Sequence, residues 1–148
     1  MTDILLHVLF RFIHVSSVIL FLGGIVYARQ VLSPVLDALP EALRIETAAG
    51  TQLRYRNTLY VLLGLIVASG LYNFLTGPHH GQPYQIWFGV KMLLVAHILA
   101  TAILWAASAN SNAKIAGKSK RRLVSMAISG FIIVFISAYL RSLTLRGL

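Results

Sequence analysis

Cysteine is absent from this chain of 148 residues. Its absence excludes a disulfide framework, thiolate chemistry and the Cys-x-x-Cys-His motif that attaches a c-type haem. Charged residues are also scarce: they make up 11% of the sequence, whereas soluble domains contain roughly 25%. This deficit excludes an ordinary water-soluble domain.

Hydrophobic residues account for 57% of the sequence and are concentrated in four long runs. Each run is close to the roughly 20 residues that an α-helix needs to cross a bilayer. None shows the alternation of apolar and polar residues that is typical of membrane β-strands. We therefore expect one all-α domain over residues 1–148, an integral membrane four-helix bundle. The predicted helices cover about residues 4–28, 59–76, 85–107 and 123–140.

The basic residues predict the orientation of the bundle in the membrane. Loop two, residues 77–84, contains no lysine or arginine, whereas loops one and three are rich in them. Loops one and three share one side of a four-span protein, so the positive-inside rule makes that side cytoplasmic and puts both termini outside. We expect a multi-pass protein of a bacterial-type inner membrane. The formal net charge of +9 then reflects topology, with contact to anionic lipids as a secondary role and no nucleic-acid partner.

Loop one is the longest connection, and Pro34 and Pro40 interrupt it. The segment from Pro40 to Gln52 is expected to form a short surface helix with a partly apolar face at the headgroups. The second and fourth runs contain small residues, such as Ser69 and Gly70, that suit close helix packing. We interpret both of these runs as scaffold.

A polar face runs along the first predicted helix. Its residues recur at spacings of three and four, which puts them on one side of the helix, and that side should face the bundle interior. Gly24 on this face would let a flat ligand or another backbone approach closely. A polar seam that only holds helices together is the alternative interpretation. The face consists of His7, Arg11, His14, Ser17, Phe21 and Gly24.

Arg11 and Lys91 lie in predicted membrane helices without an acidic partner. All four acidic residues of the chain lie at the N-terminus or in loop one. Snorkelling toward the outer interface is one way to keep both cations solvated. The alternative is that a bound ligand, such as haem b with its two propionates, supplies the missing negative charge. Arg141, at the same outer boundary, would be a third propionate contact.

His14 and His97 are the predicted iron ligands of such a haem. At about 1.5 Å per residue they lie roughly 15 Å and 20 Å into their helices, deeper than Arg11 and Lys91 at about 10 Å. A non-covalent haem b with iron near mid-membrane and propionates toward the outer face fits these depths. Lys91 and His97 are turned about 120° from each other, so one of them could face away from the site. His7, nearer the surface, is the alternative ligand.

Two stretches carry a family resemblance. Residues 11–24 of the first helix read Arg-Phe-Ile-His-Val-Ser-Ser-Val-Ile-Leu-Phe-Leu-Gly-Gly, and residues 87–97 of the third read Trp-Phe-Gly-Val-Lys-Met-Leu-Leu-Val-Ala-His. They resemble the corresponding helices of CopD-like copper-resistance membrane proteins and of related membrane protoporphyrinogen oxidases that bind haem b. The resemblance extends to the four-helix layout. It implies that His14 and Lys91, which match important residues of the oxidases, belong to a site.

These observations predict a membrane b-type haem protein that transfers electrons, with the quinone pool or a redox protein as partner. It would act as a homo-oligomer or as a subunit of a larger membrane complex. Protoporphyrinogen oxidation in the same pocket is the alternative and would make the protein a membrane oxidoreductase. Copper handling by His7, His79 and His80 is a third interpretation, although the last two can equally be solvated loop residues. An accessory subunit without a cofactor is a fourth.

Overall fold

A computed structural model describes residues 2–76, 82–107 and 116–145. The predictions made for His79 and His80, and those for most of loop three, lie outside these residues or their described side chains. Every secondary-structure element of the described residues is a helix. Its elements are α1 (Thr2–Tyr27), a π-helical turn (Ala28–Leu32), α2 (Ser33–Asp37), α3 (Glu41–Leu75), α4 (Gln82–Ala107) and α5 (Ala116–Leu145).

Four helical segments are long and apolar enough to cross a membrane, which agrees with the four predicted spans. Their outward faces carry large apolar side chains that no other helix covers. Leu93 and Phe135, for example, are each 75% exposed. A soluble protein rarely leaves so extensive an apolar surface in contact with water, whereas lipid tails solvate it well. The architecture is that of a multi-pass membrane protein.

The first connection differs from the prediction. A separate surface helix from Pro40 to Gln52 is wrong, because α3 continues without a break over 35 residues. Pro40 stands before the first residue of α3, where it disturbs no internal hydrogen bond. Gly50 is the only glycine in the polar first half of α3, residues 41–58, and one glycine costs about 1 kcal/mol. At about 1.5 Å per residue, α3 is therefore longer than a hydrocarbon core of roughly 30 Å.

The four long helices form two tight pairs. Helix α1 packs mainly on α3, and α4 packs mainly on α5. Weaker contacts join α1 to α5 and α3 to α4, so α1 and α4 stand diagonally across the bundle. Gly130 of α5 permits the contact with α1, because a Cβ atom there would overlap the side chain of Leu22.

The hydrophobic core is concentrated at one end of the bundle. We call this the basic end, because Arg29, Arg54 and Arg121 lie there, where α1 ends and α5 begins. The buried cluster at this end draws on all four long helices and includes Phe21, Ile25, Leu59, Leu62, Leu63, Ile98, Ala102, Trp105, Ala106, Leu123 and Met126. The opposite half has a smaller cluster around Ile136 and Leu140. The polar residues singled out by sequence lie mainly in this second, less densely packed half.

Candidate functional site

His14 is a half-buried polar side chain that α3 holds in the second half of the bundle. Its Nδ1 atom lies 3.1 Å from the Ile66 carbonyl oxygen and 3.0 Å from Ser69 Oγ, both on α3. A carbonyl oxygen can only accept, so Nδ1 carries the hydrogen and donates it. The Ser69 hydroxyl donates to the carbonyl oxygen of Leu65, which leaves its own oxygen able to accept from the imidazole. The network therefore puts the free lone pair on Nε2, the atom that a metal would use.

The close approach of the His14 ring to α3 depends on Gly70. A Cβ atom built at Gly70 would lie 3.1 Å from Cε1 of His14 and 3.5 Å from its Nδ1. The ring thus packs against backbone, between Ser69 and a residue without a side chain. Ser17, one turn further along α1, is 3% exposed and extends the covered part of this face.

Lys91 reaches the same region from α4. It is half-buried and close enough to His14 for an electrostatic interaction between the two side chains. An independent contact supports this placement: Phe88, one turn before Lys91, stacks on Phe74 of α3 with ring centroids 4.4 Å apart. Phe74 in turn follows Gly70 by one turn. Lys91 thus lies within electrostatic range of His14, on a part of α4 that also packs against α3.

His97 faces a different element. Its Nε2 atom lies 2.9 Å from Ser125 Oγ on α5, and its side chain is exposed. Of the two residues that the helix geometry turns apart on α4, Lys91 is the one on the side of His14. His97 points away from it, toward α5. His14 is bonded to α3 and His97 to α5, and the pairing of the two at one iron stays a prediction.

The N-terminal part of the predicted polar face is exposed. The His7 Nδ1 atom makes a 2.9 Å hydrogen bond with the Asp3 carbonyl oxygen, and its ring lies 5.6 Å from the Tyr72 ring. Arg11 is exposed on α1, as Arg141 is on α5. Arg11 precedes His14 by less than one helical turn, so its flexible side chain starts close to the His14 level.

Gly24 does allow the close approach that the sequence predicts, but the approaching group is a protein side chain. The Tyr55 hydroxyl packs directly on Gly24, where a Cβ atom would overlap it. The Tyr55 ring also lies edge-on to Trp105, with centroids 6.2 Å apart. Among the described residues, the Tyr55 hydroxyl is a buried side-chain group without a hydrogen-bond partner. Gly24 therefore belongs to the packed basic half rather than to the neighbourhood of His14.

The site residues that sequence reasoning missed come from α3. Ser69 and Gly70 were interpreted as packing residues of a scaffold helix, yet they contact the His14 ring directly. The Ser-Gly pair in an apolar run was the available signal. Sequence alone does not reveal which helix such a pair faces.

The described residues offer few donor atoms for a metal. In residues 2–76, 82–107 and 116–145, no group of three or more His, Cys, Asp or Glu could hold a metal ion. Haem iron takes only axial ligands from the protein, and a neutral imidazole with a free Nε2 is such a ligand. Lys91 beside it is a cation of the kind that pairs with a propionate. Comparisons of the chain with protein-family models, characterised proteins and solved structures found no match.

Proposed function

We propose that the protein is an integral membrane b-type haem protein that transfers electrons. The observation that carries the proposal is the hydrogen bonding of His14. Its Nδ1 hydrogen is held by Ile66 and Ser69, which fixes both the ring and the tautomer. Outer hydrogen bonds of this kind orient histidines that bind metals and raise their basicity. A bound haem would supply the one-electron chemistry, and the protein would hold it and tune its potential.

Each site residue has a distinct proposed role. His14 binds the iron through Nε2, and Lys91 neutralises a propionate. Arg11, more exposed, contributes charge from the outer rim, and Arg141 is a candidate for a further propionate contact. His97 serves as a second ligand through Nε2 only if that atom's hydrogen bond with Ser125 is given up. His14 is therefore the anchoring ligand in this proposal.

The proposed orientation puts the basic end in the cytoplasm of a bacterial-type cell. Both termini and the His14 region then belong to the outer half of the inner membrane, in line with the charge rule for loops. The exposed apolar faces of the helices support access from the bilayer, where a quinone dissolves. The same faces can pack against a second copy or a larger membrane complex that contains the redox partner.

A second candidate is the oxidation of protoporphyrinogen in the same pocket. The proximity of His14 and Lys91 favours it, because the family resemblance pairs these two residues. In this alternative the tetrapyrrole is the substrate. Oxidation of added protoporphyrinogen in the presence of a quinone acceptor, measured by porphyrin fluorescence, distinguishes the two: activity supports the enzyme, and its absence in a protein containing haem supports electron transfer alone.

An absorption spectrum tests the main proposal. The full chain is expressed with ample haem supply, purified in detergent, and scanned oxidised and reduced. We expect a sharp alpha band on reduction and release of haem into acidified solvent, because cysteine is absent. A colourless protein that is monodisperse and folded would overturn the haem assignment.

A further inference from the structure

A groove lies at the basic end of the bundle, far from His14. Its volume is about 410 Å³, within the roughly 300–1,000 Å³ that is usual for ligand sites. Arg29, from the π-helical turn after α1, lines one side. The other side belongs to α5 and consists of Arg121, Val124, Ser125, Ile128 and Ser129.

The lining divides into a cationic part and an apolar part. On α5, Arg121 and Ile128 are seven residues apart, so they share a face with about 10 Å of axial separation. Along α5 the groove thus passes from Arg121 to the apolar side chains of Val124 and Ile128, and Ser125 and Ser129 each follow one of these apolar residues. A ligand that matches this order has an anionic head and a hydrocarbon tail.

The two arginines of the groove are available for such a ligand. Both are exposed, and among the residues that the structure describes no acidic side chain lines the groove. The neighbouring Arg122 has a different use, because its Nη1 atom donates a 2.9 Å hydrogen bond to the Leu104 carbonyl oxygen near the end of α4. Guanidinium groups bind phosphate oxygens through paired hydrogen bonds, which favours a phosphate as the anionic head. Single π-helical turns, such as the one that contains Arg29, occur frequently at functional sites.

We propose that this groove binds one anionic phospholipid. The phosphate lies between Arg29 and Arg121, and one acyl chain runs along Val124 and Ile128. The position at the basic end matches the membrane leaflet that is rich in anionic lipid. Ser125 lines the groove and also bonds His97, so an occupied groove adjoins the α4–α5 contact. The inference does not depend on the presence of haem.

Lipid binding to the purified full chain tests this proposal. Binding is measured by native mass spectrometry and by the shift in thermal unfolding midpoint. The probes are phosphatidylglycerol, phosphatidylcholine with the same acyl chains, and inorganic phosphate. We expect phosphatidylglycerol to bind and stabilise most strongly. Equal effects of the two lipids, or full stabilisation by inorganic phosphate alone, would overturn the lipid assignment.

Charge variants locate the site. Arg29→Gln and Arg121→Gln should each weaken phosphatidylglycerol binding about fivefold, the effect expected for one basic residue near an anionic lipid surface. Arg54→Gln removes another exposed arginine, on α3 and outside the groove, and should leave affinity within twofold. Arg29→Lys should retain part of the binding, which separates a charge effect from misfolding. An equal loss in Arg54→Gln would show diffuse surface attraction and overturn the proposal.

Discussion

His14 and Gly70 are in contact between α1 and α3, and the missing side chain of Gly70 is what permits it. A Cβ atom at Gly70 would lie 3.1 Å from Cε1 of His14, closer than an ordinary contact between carbon atoms. The imidazole is simultaneously held by the Ile66 carbonyl oxygen, so it cannot move away without weakening that hydrogen bond. The position of the proposed iron ligand is thus coupled to a single glycine.

Gly70→Ala should displace the His14 ring by a few tenths of an ångström. We expect a shifted or broadened alpha band and a lower haem content at equal protein concentration. Gly64→Ala is the matched control, because a Cβ atom there meets nothing within 4 Å. The control should keep the wild-type spectrum and gain up to about 1 kcal/mol of helix stability. Identical spectra for the two variants would mean that His14 is not at the cofactor.

Lys91→Met should lower the haem midpoint potential, because loss of a cation destabilises the reduced, more negative cofactor. A charge at roughly 8 Å and an effective dielectric near 20 contributes about 2 kcal/mol before screening. Screening reduces the expected shift to the order of tens of millivolts. Arg11→Gln should shift the potential less, since Arg11 is exposed and Lys91 is half-buried. Potentiometric titration measures both, and unchanged potentials at full haem content would contradict the propionate pairing.

Gly130→Ala should weaken the contact between α1 and α5. The added methyl group overlaps Leu22, and such overpacking costs typically about 1–3 kcal/mol. The double variant Leu22→Ala/Gly130→Ala removes the overlap and should recover part of that loss, a coupling that a double-mutant cycle detects. Denaturant unfolding in detergent gives the free energies. Additive effects of the two substitutions would show that these side chains do not meet.

Reporter fusions test the orientation. A fusion after Ala116 should behave as cytoplasmic and one after His80 as external, because lysine and arginine are absent from residues 77–84 and abundant in the flanking loops. The reverse pattern would move the proposed haem site to the cytoplasmic half. It would also remove the leaflet argument for the lipid groove.

Hydrophobicity was sufficient to predict the number and approximate positions of the spans. It was insufficient for their ends, because residues 41–58 of α3 are polar and give no hydropathy signal, although nothing in them breaks a helix. Pro40 prevents the residues before it from joining α3 as one helix, but it does not interrupt the helix that begins after it. The prediction of a separate surface helix was wrong because the change from polar to apolar residues within α3 was taken as the boundary between two helices.

The partners of His14 could not be predicted, because they depend on how the helices rotate against each other. Periodicity put His14 and Gly24 on one face of α1, yet the structure gives them different neighbours: Gly70 for His14 and Tyr55 for Gly24. Similarly, the 120° offset between Lys91 and His97 showed that both could not point to one narrow site. Which of the two faces His14 depends on the rotation of α4 about its own axis in the packed bundle.

A comparison of His14→Ala with His97→Ala by visible absorption tests the central claim most directly. His14 Nδ1 is held by α3, which leaves its Nε2 atom free, whereas His97 Nε2 is engaged by Ser125. We therefore predict that His14→Ala loses the haem spectrum, while His97→Ala retains most of the bound haem. A His14→Ala protein with full haem content and an unchanged reduced spectrum would contradict the account.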